Sequence, residues 1–148
     1  MTHESDNLDQ SDKSEKRSDA DRYIVLFLRT IGAISLLAFL AAVMPERWMA
    51  EAAKVLGIDP FPFSPLTFYL ARNLSLLYGF VGVLLLLISY DLDRYRPLVW
   101  YAAIGTILFG FLQLIVDSMS GLPAWWTLGE SISTMFGGLL LYWLQRRR

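Results

Sequence analysis

Four stretches of this chain are each about as long as a membrane is thick and almost wholly apolar, and they leave few folds open to it. They run from about Tyr23 to Met44, Pro65 to Tyr90, Leu98 to Ser118 and Pro123 to Leu144. A helix of roughly 20 apolar residues crosses a hydrocarbon core of about 30 Å. No water is present there to satisfy a bare backbone, so each stretch must make its own hydrogen bonds, and helices do. The expectation is an all-α polytopic membrane protein, a four-transmembrane-helix bundle over residues 22–145, set in a cell (plasma or inner) membrane. Pro65 and Pro123 begin two of the spans and Pro97 directly precedes a third; in a first helical turn the missing N–H is no loss. The joining loops of about six and four residues predict that spans two and three, and three and four, are antiparallel neighbours.

Outside the spans the composition changes sharply. Of the 27 formal charges, 11 lie within residues 1–22. Residues 1–21 hold too little apolar surface to offset the entropy of ordering, and read as a disordered acidic tail. The first apolar stretch lacks a small-residue cleavage signal and reads as a retained span. Between the first two spans, Trp48, Ala52, Val55 and Leu56 share one helical face and Arg47, Glu51 and Lys54 the other. Glu51 can meet Arg47 and Lys54, Gly57 is a stop, and Pro60 and Pro62 block continuation. This predicts a short helix lying in the interface. Basic residues flanking the spans are biased nine to two: Lys13, Lys16, Arg17, Arg22, Arg94, Arg96 and Arg146, Arg147 and Arg148 against Arg47 and Lys54. Both ends, including the basic stretch 146–148, are therefore expected in the cytoplasm.

The chain has no cysteine, which removes disulfides and thiolate chemistry, and one histidine, His3, in the polar tail. No metal site or other cofactor is expected, and no phosphate loop or nucleophile–base constellation is present. The expected partners are the lipid bilayer, a second copy or another membrane protein, and a lipid or small amphiphile; no nucleic-acid partner is expected.

Function must come from the polar residues inside the spans. In the third, Ala102, Thr106, Gly110, Gln113 and Asp117 form one small or polar stripe. Arg72, Ser75, Gly79 and Gly82 form another in the second span, with Asn73 beside it; the fourth offers Glu130, Ser133, Thr134, Gly137 and Gly138. Such stripes face other helices, because small residues allow close approach and polar ones avoid lipid. Arg72 and Glu130 each lie seven residues into spans entering from the outer side, so roughly 10 Å deep. Arg72, Asn73, Gln113, Asp117 and Glu130 are thus expected to converge, with Tyr69 one turn away. A buried guanidinium needs an acceptor, and Asp117 and Glu130 are the available ones. One of the two, the deeper Glu130, is then the group to carry a proton. A purely structural Arg72–Glu130 pair fixing helix register is the competing reading. Arg29, in the inner third of the first span, is expected to snorkel to the cytoplasmic interface or to pair with Asp91 or Asp93.

Four short-looped spans, an outer helix after the first, and the segment YLARNLSLLYG resemble the DoxX-like group of bacterial four-helix membrane proteins, over about residues 22–145. RYRPLVWY and PAWWTLGES resemble the signature of a narrower bacterial membrane family. The resemblance implies the fold and no activity, and the acidic tail departs from it. The functional expectation is a non-enzymatic membrane module with an outward-facing polar pocket. The alternatives are a proton-linked transporter or transporter subunit using Glu130 or Asp117, and, last, a membrane enzyme acting on a quinone or lipid.

Overall fold

The computed structural model describes the backbone of residues 2–57, 61–121 and 124–147, and side chains from Arg17 onward apart from Ser18. Pro60 as a breaker, Pro123 as the start of a span, Arg148, and the side chains of His3, Lys13 and Lys16 lie outside what is described.

Every described element is a helix: α1 (Thr2–Leu36), α2 (Ala38–Ala42), α3 (Glu46–Val55), α4 (Pro65–Tyr90), α5 (Leu92–Met119) and α6 (Ala124–Arg146). Among the described residues three segments are long and apolar enough to cross a membrane, Asp19–Ala42, Pro65–Tyr90 and Leu92–Met119. Their surfaces match that reading. Leu26, Leu40, Leu77, Phe80, Val116 and Phe136 are each exposed by about 60%, with many others, and a water-soluble chain of this size would not leave so much apolar surface bare. This is a membrane protein.

Several boundaries differ from expectation, each for a local reason. α1 begins at Thr2, so the backbone of the tail read as disordered continues the helix of the first span. Once an apolar span has nucleated a helix, extending it costs little per residue. The first span is interrupted at Leu37, where Leu37 and Leu40 make tight i→i+3 bonds to Ile34 and Leu37. This break brings Phe39 onto Gly79 and edge-on to Phe80, at 5.5 Å. α4 starts where proline predicts it: Pro65 takes the first position and Ser64 Oγ accepts from Thr67 N–H at 3.1 Å. α5, by contrast, starts at Leu92 rather than Leu98, because Asp91 caps it by accepting from Arg94 N–H at 3.3 Å. Pro97 therefore lies inside the helix, and the expected six-residue loop shrinks to Asp91 alone.

Packing follows the glycines. α1 and α4 run antiparallel in contact at Gly32 and Gly82, where a Cβ on Gly82 would stand 2.7 Å from the Gly32 carbonyl oxygen. α5 and α6 close similarly at Gly110 against Met135 and Ser131, and at Gly138 against Ala103 and Ile107. α1 also touches α6, with Phe27 over Gly137. α4 and α5 touch little, although one residue joins them. Their expected side-by-side packing is not seen, because the α4 seam is spent on α1 and the α5 seam on α6. All four long helices meet near the Asp91 turn, around Ile24, Leu28, Ile88, Leu92, Val99, Ala103, Leu141 and Leu144.

Gly82→Ala should lower stability in detergent by about 1–3 kcal/mol, because backbone and not a movable side chain blocks the new methyl group. Gly105→Ala, whose Cβ would meet nothing within 4 Å, should be neutral or gain up to about 1 kcal/mol. Denaturant titration of the two variants side by side checks both.

Candidate functional site

The structure divides the six residues expected to converge. Arg72 lies seven residues before Gly79, so it shares the α4 face that packs on α2. That face leads it to the start of α3, where its Nη1 stands 3.7 Å from Glu46 Oε1. The expected pairing of Arg72 with Glu130 or Asp117 is not formed. Both side chains of the Arg72–Glu46 pair are partly exposed, at 39% and 51%, so solvent or headgroups screen it and it contributes little. Asn73 turns back on its own helix, its Nδ2 donating to the Tyr69 carbonyl oxygen at 2.9 Å. Tyr69 is exposed, its side chain directed outward. These three residues belong to the α2–α4 side.

The other three lie on α5 and α6, Gln113 and Asp117 on the first and Glu130 on the second. Asp117, in the last turns of α5, accepts a hydrogen bond at Oδ2 from Ser131 Oγ, 3.3 Å away on α6. Ser131 is fully buried. It sits where Gly110 lets the two helices approach, so the same seam that packs the pair also sets this bond. Gln113, one turn from Asp117, has its Oε1 buried with no donor among the described residues. Such an oxygen is costly unless something gives it a hydrogen bond. Glu130 precedes Ser131 and is partly buried.

Two participants escaped the sequence reading. Ser131 was passed over beside the more conspicuous Ser133 and Thr134; Ser133 only donates to its own helix, at the Glu130 carbonyl. Tyr78 of α4 lies within electrostatic range of Glu130 and Asp117, reaching across from the other helix pair. A tyrosine in an otherwise apolar run was the available signal, because its hydroxyl needs a polar neighbour. Gln113, Asp117 and Ser131 on the α5–α6 seam, with Glu130 next to Ser131 in the chain and Tyr78 within electrostatic reach from α4, are the polar groups on this side of the fold. They present two carboxylates and an orphaned amide oxygen. Among the described residues no Lys or Arg stands within ion-pair distance of either carboxylate. The chemistry on offer is hydrogen-bond acceptance and negative charge. Among the described residues no three His, Cys, Asp or Glu side chains gather as metal ligands do.

Near the Asp91 turn, Arg29 pairs with neither Asp91 nor Asp93. Its Nε donates to Ser89 Oγ at 3.4 Å and its guanidinium lies 5.6 Å from the Tyr90 ring centre. Geometry explains this: Gly32 against Gly82 sets the α1–α4 register, which puts Arg29 level with the last turn of α4 and short of the aspartates beyond it.

No family model, curated protein or solved structure matches this chain.

A double-mutant cycle should find coupling below about 1 kcal/mol between Arg72 and Glu46, and none between Arg72 and Glu130. Ser131→Ala should cost about 1 kcal/mol through the lost bond to Asp117, read as a shift in denaturation midpoint.

Proposed function

We propose that this protein is a small, non-enzymatic multi-pass membrane module that binds an amphiphile bearing hydrogen-bond donors or positive charge in the gap between α4 and the α5–α6 pair. In this reading α1–α2, α4, α5 and α6 are four spans and α3 lies in the interface. α6 is less apolar than the others because it carries Glu130, Ser131, Ser133 and Thr134, yet it packs antiparallel along α5 from Ser131 to Gly138. A helix held along a spanning partner crosses the same layer. The exposed Trp48 and Val55 of α3 suit an interfacial helix. Trp125 and Trp126 mark one boundary; Trp143, beneath the Arg147 guanidinium at 3.8 Å, marks the other. The basic bias then puts both ends in the cytoplasm of a plasma or inner membrane, with the Tyr78–Glu130 cluster towards the outer side. The likeness to DoxX-like proteins belongs to the same proposal.

The observation that carries the binding reading is the buried Gln113 oxygen without a donor, one turn from Asp117, with no Lys or Arg within ion-pair distance of Asp117 or Glu130 among the described residues. In an apolar layer such a group needs a proton, a cation or a donor-rich ligand. A ligand amine or hydroxyl would supply all the donors the cluster lacks, and the exposed apolar faces of α4 and α5 would carry its chain. The same absence of a cation favours a second reading, in which Glu130 takes and releases a proton as part of a transporter.

Dodecylamine should bind the detergent-purified chain, and Glu130→Gln should weaken it about tenfold by removing one charge-assisted contact. Arg72→Ala should leave binding unchanged. Equal binding by wild type and Glu130→Gln would remove the binding reading. A folded Glu130→Gln variant that binds normally but loses pH-dependent flux in vesicles would move the weight to transport.

A further inference from the structure

A cavity of about 730 Å³ opens at the Asp91 end, between α1 and the α4–α5 junction, and the cluster between α4 and α6 has no part in it. Three arginines line it, Arg22, Arg29 and Arg96, together with four aspartates, Asp19, Asp21, Asp91 and Asp93. Arg96 is occupied. Its Nη1 and Nη2 grip both carboxylate oxygens of Asp21 at 3.2 and 3.3 Å, and Nη2 also reaches Asp93 at 2.7 Å. Arg29 is not. It lies two helical turns deeper than Arg22, within an apolar span. Its Nε makes a long bond to Ser89 Oγ, and that hydroxyl already donates to the Leu86 carbonyl oxygen at 2.7 Å. Among the described residues no carboxylate stands within ion-pair distance of it. A guanidinium keeps its charge and presents five N–H donors, so most of these donors are unspent on the cavity side, beside the apolar Val25 and Leu26.

We propose that this cavity holds the headgroup of a phospholipid carrying a primary ammonium, with the phosphate on Arg29 and the ammonium among the aspartates at the rim. A phosphate diester matches the guanidinium fork. Asp19 and Asp91 line the cavity with no Lys or Arg side chain within ion-pair distance among the described residues, which favours a headgroup that adds a cation over one whose only charge is the phosphate. Asp19, exposed on the rim one helical turn from Arg22, is placed to receive it. Leu26, exposed by 61%, continues from the cavity onto the apolar surface where acyl chains would lie. The lipid comes from the leaflet that faces the Asp91 turn. The inference rests on the membrane-spanning reading and makes no use of the Tyr78–Glu130 cluster, so loss of dodecylamine binding would not touch it.

The test is native mass spectrometry of the full chain in mild detergent, stripped of lipid and titrated with palmitoyl-oleoyl-phosphatidylethanolamine, the phosphatidylglycerol of the same chains, and soluble phosphoethanolamine. One phosphatidylethanolamine per chain should be retained in preference to phosphatidylglycerol, with soluble phosphoethanolamine competing weakly. Arg29→Gln should lower affinity about tenfold. Arg146→Gln, an equal change of charge at the same end of the bundle but outside the cavity, should not. Asp19→Asn lies on the exposed rim and should shift preference towards phosphatidylglycerol even if Arg29→Gln fails to fold. Equal retention by wild type and Arg29→Gln, equal loss in Arg29→Gln and Arg146→Gln, or an Asp19→Asn preference like that of wild type would overturn the proposal. Soluble phosphoethanolamine binding as tightly as the lipid would overturn its lipid source.

Discussion

Two glycine-mediated helix contacts decide where everything else in this protein goes. In lipid no hydrophobic force sorts one apolar helix from another, so association depends on how closely backbones can approach. Gly82 against Gly32 commits α4 to α1, and Gly110 and Gly138 commit α6 to α5. Once these seams are used, each polar side chain has a fixed direction. Arg72 shares the Gly79–Gly82 face and is carried to Glu46. Asp117 and Ser131 share the α5–α6 seam and meet each other. Tyr78 of α4 stays within electrostatic reach of Glu130 and Asp117.

This arrangement separates charges that a tighter bundle would have brought together. An arginine between two carboxylates would have closed the site by neutralising it. With Arg72 on the α3 side, Asp117 and Glu130 have no cation within ion-pair distance and the Gln113 oxygen has no donor among the described residues. At the other end Arg96 is held by Asp21 and Asp93, whereas Arg29 keeps spare donors. Acceptors without donors and an arginine with spare donors thus stand towards opposite ends of the helices.

The helices were largely legible in the sequence, because hydrophobic length is a one-dimensional signal. Pro65 to Tyr90 matches α4 end to end, and Pro65 announced its start. The departures came where a local bond outweighed composition. Asp91 capped α5 ahead of Pro97, and the tight turn at Leu37 had no proline or glycine to announce it. The candidate site was legible only as residue types. Gln113, Asp117 and Glu130 were visible as polar residues on small-residue stripes, and what Asp117 meets across the α5–α6 seam is Ser131. Depth, however, says nothing about direction around a bundle. Arg72 and Glu130 are at equal distance from the ends of their helices and still face different neighbours. Which seam pairs with which depends on contacts between glycines far apart in the chain, and those cannot be read from spacing within one helix. For the same reason Tyr78 looked like one more aromatic in an apolar run.

The absence of cysteine from the chain allows a clean test of this pairing by disulfide formation in native membranes. Arg29 on α1 and Ser89 on α4 stand side by side, with Nε 3.4 Å from Oγ, so the double variant Arg29→Cys/Ser89→Cys, which leaves the Gly32–Gly82 contact intact, should cross-link under mild oxidation. The double variant Arg72→Cys/Glu130→Cys should not. Efficient cross-linking of the second pair and none of the first would mean that α4 packs into the α5–α6 pair, and the separation of Arg72 from Asp117 and Glu130 on which the acceptor-rich site depends would be lost.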